Sequence, residues 1–178
     1  ARKESYAVCL GTMDKGKQLS ELTEAFSRMS YRLVIAGRFY DKEWLRELRN
    51  AAAGNIEIRD SYLSRDEYLS LLSHATYAVL PYNKDNYAFQ TSGVMQEAVF
   101  TNAIVLTHRD ILAGNEIPGV GYGSYDDITD SLLDAGSMGG STDNIIRNRR
   151  ILEDYDRLRK EVYDKDIVKA TIKNSLSV

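Results

Sequence analysis

Short apolar runs and one-sided apolar stripes alternate along most of the chain. Tyr6-Ala-Val-Cys-Leu10 is wholly apolar and is followed at once by Gly11, the pattern of a buried strand ending in a turn. After the loop from Gly11 to Gly16, apolar residues fall at Leu19, Leu22, Ala25, Phe26 and Met29, a spacing that puts them on one helical face. The unit then repeats. Tyr31 to Ala36, closed by Gly37, predicts a second strand, and Trp44, Leu45, Leu48 and Ala52 the inner face of a helix that Gly54 stops. Asn55 to Arg59 alternates as a short strand does, and Ser64-Arg-Asp-Glu67 has the capping-box pattern that opens a helix carrying Tyr68, Leu69, Leu71 and Leu72. Tyr77 to Leu80 is a further strand, ended by Pro81. Thr91-Ser-Gly93 opens a helix with Val94, Met95, Ala98 and Val99 inward, and Ala103 to Leu106 is the strand after it.

Parallel strands need helical crossovers, and right-handed crossovers lay the helices on both sides of the sheet. The expected fold is therefore α/β: a Rossmann-like, doubly wound parallel sheet with helices on both faces. The pattern changes between Ile111 and Tyr125, where Gly114, Gly119, Gly121, Gly123 and Pro118 predict loops around one short strand near Val120 to Tyr122. A helix is expected from about Asp127 to Ala135. Gly136 to Ser141 then reads as a flexible joint, and 144–178 as a helical tail, half buried through Ile145, Ile146, Ile151, Leu152, Tyr155, Leu158 and Val162.

The length of 178 residues suits one domain, and 43% hydrophobic with 28% charged residues is the balance of a folded soluble chain. A net charge of -3 supplies no broad positive field, so nucleic acid is not an expected partner. The apolar runs are far shorter than the ~20 residues that cross a bilayer, and the opening residues lack the basic-apolar-small pattern of a signal peptide. A lone cysteine, Cys9, fits a reducing compartment, and a cytoplasmic location is expected. His74 and His108 are too few for a metal site, and neither a Gly-x-Ser-x-Gly elbow nor a Gly-x-Gly-x-x-Gly turn is present.

Ligands of open α/β sheets bind outside the carboxyl ends of the strands, which singles out the loops there. After the first strand, Gly11, Lys15, Gly16 and Lys17 combine backbone freedom with two ammonium groups; the loop could meet a phosphate or be a solvated turn. After the second, Gly37-Arg-Phe-Tyr40 offers a guanidinium and two aromatics that could stack on a base or merely cover the sheet edge. The third candidate is the most informative. Thr91, Ser92 and Gly93 begin a helix, whose unpaired N–H groups and partial positive charge form an anion cradle, and Glu97 lies about a turn further on, where it could accept from a ribose diol. The plain alternative there is an ordinary helix cap and a solvated glutamate. A fourth place, Asp110 among its glycines, gives little.

Taken in order, these segments resemble the C-terminal, donor-binding lobe of GT-B glycosyltransferases of the GT4 group (glycosyl transferases group 1). The likeness runs from Val8 to about Leu133 and rests on Leu10-Gly11 with Lys17 six residues on, Leu33-Val-Ile-Ala-Gly37, Ile56 to Leu63, Tyr68 to Ala75, and Val79-Leu-Pro81. Pro81-Tyr82 followed by Thr91-Ser-Gly93 and Glu97-Ala98, then Ala103-Ile-Val105, is its strongest part. The resemblance implies a site for a UDP- or GDP-sugar between two lobes, with no other cofactor: Gly11 and Lys17 at the diphosphate, Thr91, Ser92 and Gly93 beneath it, Glu97 at the ribose, and the base near Gly37, Arg38 and the backbone around Tyr62. Thr12 stands where the family usually has arginine, so Lys15 or Arg38 would supply the second positive charge. Phe89 occupies the earlier of two glutamate positions, and Thr101-Asn-Ala103 replaces a Gly-x-Pro.

The GT4 likeness further implies transfer with retention, no bound metal and no covalent nucleophile, with no catalytic residue assigned in this chain. The chain is expected to be a fragment, inactive alone, of an enzyme whose N-terminal lobe binds the acceptor, a saccharide or lipid-linked saccharide, in bacterial polysaccharide or lipopolysaccharide synthesis. That lobe would bring any peripheral contact with the inner face of the membrane. Two alternatives stay open, a degenerate noncatalytic binding module and a nucleotide-sugar epimerase of related fold. A receiver-like domain fits poorly, because Gly11 and Arg59-Asp60 do not supply its acidic cluster.

Overall fold

A computed structural model of the chain describes residues 2–87, 92–133 and 141–162. The apolar runs are strands: β1 (Glu4–Leu10), β2 (Arg32–Gly37), β3 (Ile56–Asp60), β4 (Ala75–Leu80), β5 (Ile104–His108) and β6 (Val120–Tyr122). The stripes between them are helices α1 (Leu19–Ser27), α2 (Lys42–Ala51), α3 (Arg65–His74), α4 (Lys84–Tyr87), α5 (Gly93–Thr101), α6 (Arg109–Asn115), α7 (Asp130–Leu133) and α8 (Thr142–Glu161). All strands pair in parallel, in the order β3-β2-β1-β4-β5-β6. The expected doubly wound architecture is the one observed. β1 lies at the centre, with Val8 beside Val34 on one side and Ala78 on the other, and every residue from Tyr6 to Leu10 is buried. α1 packs beside α2, α3 beside α5, and α5 also meets α8.

Caps follow the local sequence. Asp41 accepts from the N–H groups of Glu43 and Trp44 at the start of α2. Ser64 and Glu67 close a reciprocal capping box on α3, as their spacing predicts. Two regions depart from expectation. The glycine-rich stretch holds a helix, α6, as well as β6, and in place of a single helix from Asp127 the chain makes a 3-10 turn (Tyr125–Asp127) before α7. The glycines there mark close packing rather than loops: a Cβ at Gly119 would stand 2.6 Å from the Val105 carbonyl oxygen, and one at Gly121 3.1 Å from the Arg109 backbone. The polar loop after β4 likewise contains the single turn α4.

The helical tail is half buried, but through a different stripe. Asn144, Asn148, Ile151 and Tyr155 face inward, while Ile145, Ile146 and Val162 are exposed. The joint from Gly136 to Gly140 and the tail beyond 162 lie outside the described residues. Among those residues no helix is long and apolar enough to cross a membrane.

Candidate functional site

The strand order reverses at β1, which pairs with β2 on one side and β4 on the other, so the loops leaving β1 and β4 diverge and open a crevice at their carboxyl ends. Backbone contacts fix its floor. Lys17 and Tyr82 form an isolated antiparallel bridge, and the Gln18 N–H donates to the Pro81 carbonyl at 2.7 Å. Beside it, a cleft of about 340 Å³ is lined by Lys15, Gly16, Lys17, Gln18, Trp44 and Asn83.

The two glycines that close β1 and the second strand owe their presence to each other. Gly11 has φ +102°, and a Cβ at Gly37 would lie 1.8 Å from the Gly11 carbonyl oxygen. The Met13 N–H donates to the Arg38 carbonyl at 3.0 Å and extends this contact. Lys17 is only 8% exposed, and its ammonium donates to the Leu10 carbonyl at 2.9 Å with the Met13 sulfur 3.8 Å away. An ammonium has three N–H donors, so the inward bonds leave capacity for a ligand. Lys15 is exposed and pairs with Asp41 at 3.1 Å. Hydrogen bonds from the Trp44 N–H and from Lys15 hold the Asp41 carboxyl below the usual range.

Ser92 is the N-cap of α5, yet its side chain does not cap the helix. Its hydroxyl instead meets the Tyr82 hydroxyl at 2.9 Å, and the Tyr82 ring stacks on Tyr87 at 4.3 Å between centroids. Burial pushes the Tyr82 phenol up to about 12, so it stays protonated at neutral pH. Gly93 is exposed, and among the described residues nothing lies within 4 Å of a Cβ added there. Those residues leave room for a ligand at the helix start. Thr91, and Phe89 before it, lie outside the described residues.

Glu97 lies on the first turns of α5 but turns to α3, pairing with Arg65 at 2.5 Å. Further along the same edge Arg38 stands 6.0 Å from the ring centre of Tyr62, which is 80% exposed. Tyr40 is also exposed there, whereas Phe39 is core. Asp60, at the end of β3, accepts from the Phe39 N–H at 3.1 Å and pairs with Lys42 at 2.5 Å, which ties the two loops together.

The sequence-predicted residues therefore collect at one edge of the sheet. Gly11, Lys17, Ser92 and Gly93 belong to the loops and helix start around the switch point, Glu97 sits a turn along α5, and Gly37, Arg38 and Tyr62 follow β2 and β3. Lys15 is there too, but committed to Asp41. Sequence reasoning misses Arg65 and Tyr68: Asp66 and Glu67 share the first turn of α3, and the partner of Arg65 lies on another helix, α5. A larger cavity, about 620 Å³, lies at the opposite edge among Lys3, Thr76, Ile104, Asn148 and Asp156. No glycine stands among its described lining residues, and open α/β sheets bind ligands at the other end.

No protein family matches the chain. No curated protein matches it either. Among solved structures it is similar to a UDP-forming trehalose-phosphate synthase from Burkholderia vietnamiensis, with 14% identity, a TM-score of 0.65, and coverage of 99% of this chain and 46% of that one. It is also similar to HepE from Anabaena in complex with UDP-glucose, at 10% identity and TM-score 0.63 over 97% and 48% of the two chains. A third is AviGT4, a glycosyltransferase involved in avilamycin A biosynthesis, at 19% identity and TM-score 0.56 over 88% and 52%. At these identities the likeness is one of fold. The chain spans about half the length of each of these structures. The fold is that of a Rossmann-like lobe of the GT-B type.

Proposed function

We propose that the chain is the donor-binding lobe of a GT4-like, retaining glycosyltransferase that moves a sugar from a UDP- or GDP-sugar to a hydroxyl acceptor. One observation carries this reading: the start of α5, which has no side-chain cap, is tied through the Ser92–Tyr82 hydroxyl contact and the Tyr82–Lys17 bridge to the loop after β1, in a fold shared with glycosyltransferases. A diphosphate there would accept from the first N–H groups of α5 and from Lys17, which would stabilise it as a leaving group without a metal. Glu97 would hold the ribose, and Arg38 and Tyr62 the base. A second, N-terminal lobe would bring the acceptor, a saccharide or lipid-linked saccharide, and any contact with the inner face of the membrane. Bacterial polysaccharide or lipopolysaccharide synthesis, in the cytoplasm, is the setting we assign.

The rival reading, a noncatalytic binding module, is favoured by the commitment of Lys17 to Leu10 and of Lys15 to Asp41. Titrating the chain with UDP, GDP and their common sugars, followed by heteronuclear NMR, separates the two. The donor-lobe reading expects binding to one nucleotide, weakened about tenfold in Lys17→Ala and in Glu97→Ala, the loss of one charge-assisted hydrogen bond. No binding at millimolar nucleotide selects the binding module.

A further inference from the structure

Arg65 opens α3, whose first turn also carries Asp66 and Glu67. Its guanidinium reaches across to α5, which packs beside α3: Glu97 Oε1 accepts from Arg65 Nη1 at 2.5 Å. The guanidinium also lies 5.5 Å from the ring centre of Tyr68, one turn along α3. Burial first, and then the neighbouring Glu97 carboxylate, push the Tyr68 phenol above its ordinary value. Glu97 is thus held against α3 by Arg65, whose guanidinium has Tyr68 beside it. Its side chain is 28% exposed, so it keeps an approach from solvent.

A carboxylate has about four acceptor positions on two oxygens. With Oε1 engaged by Arg65, the side chain is anchored against α3, and its 28% exposure leaves acceptor positions for a further donor. A glutamate without this contact would sample several rotamers and lose side-chain entropy on meeting a ligand. We propose that Arg65 is a positioning residue that, with Tyr68, sets Glu97 to accept from a ribose diol, making recognition of the sugar hydroxyls a property of the α3–α5 pair. This inference rests on the donor-lobe reading. Arg65 itself touches no part of the nucleotide.

The test compares affinities of the 178-residue chain for UDP and GDP with those for their 2′,3′-dideoxy counterparts. Wild type is expected to prefer the ribose form of its nucleotide by about tenfold or more, the scale of hydrogen bonds to a charged acceptor. Arg65→Ala should shrink that ratio to about threefold or less, Arg65→Lys should retain most of it, and Tyr68→Phe should lower it partly, with thermal melts confirming that each variant is folded. A merely structural or long-range electrostatic role would weaken both nucleotides alike and leave the ratio intact. That result overturns the proposal, as does a wild-type protein that binds nucleotide without preferring ribose, which leaves the donor lobe standing. If wild type binds neither nucleotide, the donor-lobe reading falls and this inference with it.

Discussion

Gly37 and Gly93 stand at the same edge of the sheet and look alike in the sequence, yet their surroundings require opposite things of them. Gly37 has φ +156° and no room for a side chain, since a Cβ would stand 1.8 Å from the Gly11 carbonyl oxygen. Gly37→Ala must push the β1 and β2 loops apart, and we expect it to destabilise by about 3 kcal/mol or more, lowering Tm by roughly 6–12 °C for a chain of this length. A small shift would mean that the loops separate readily. Gly93 has nothing within 4 Å among the described residues and begins a helix, where alanine is the better former. Gly93→Ala should therefore leave Tm unchanged or slightly raised. If a diphosphate approaches the backbone at this point, the methyl group should nonetheless cut nucleotide affinity about tenfold. Unchanged affinity would place the ligand elsewhere. The sequence marks both glycines as candidates, because each follows or precedes a strong element boundary; only the neighbours tell a close backbone crossing from an uncrowded helix start.

Among the elements, α8 was the least legible beyond its existence. Its inward positions are Asn144, Asn148, Ile151 and Tyr155, a regular helical stripe in which half the members are polar, so a count of apolar residues placed Ile145 and Ile146 inward instead. Polar anchors dock it. Asn144 donates to the Ser131 carbonyl at 2.7 Å, Asn148 donates to the Tyr77 hydroxyl at 2.9 Å, and Arg159 donates to the Val99 carbonyl. The Tyr155 hydroxyl, wholly buried, accepts from the Val105 N–H at 2.9 Å, just before β5 meets β6. Tyr155→Phe keeps the ring and strands that N–H in a dry place, at a cost of about 1–3 kcal/mol, which a melt should report as a Tm lowered by roughly 2–12 °C. An unshifted Tm would show that water reaches the Val105 amide. α6 escaped detection for a related reason: its neighbours Gly119, Gly121 and Gly123 serve close contact with Val105 and Arg109, a need that reads in sequence as punctuation.

For the whole molecule, the parallel sheet was readable because its central strands are buried on both faces and so must be continuous apolar runs, and because alternation with helices leaves few topologies. The edge at which chemistry would collect follows from that topology. What the sequence could not convey were pairings between distant elements, such as Arg65 with Glu97, and the inward turn of Lys17, since neither leaves a periodic trace. Volume alone would have chosen differently, because the larger cavity, about 620 Å³, opens at the amino edge beside α8 and the smaller cleft, about 340 Å³, at the carboxyl edge. Ligand binding slows amide exchange where it suppresses local opening, and stabilises the whole by about 2.7 kcal/mol at a hundred times the Kd. With the nucleotide that binds, UDP or GDP, we expect slower exchange at 11–17 and 93–97, and no more than the global gain at 102–104 and along α8. The reverse pattern would move the site to the amino edge and leave the turned-in Lys17 and the start of α5 as structural features only.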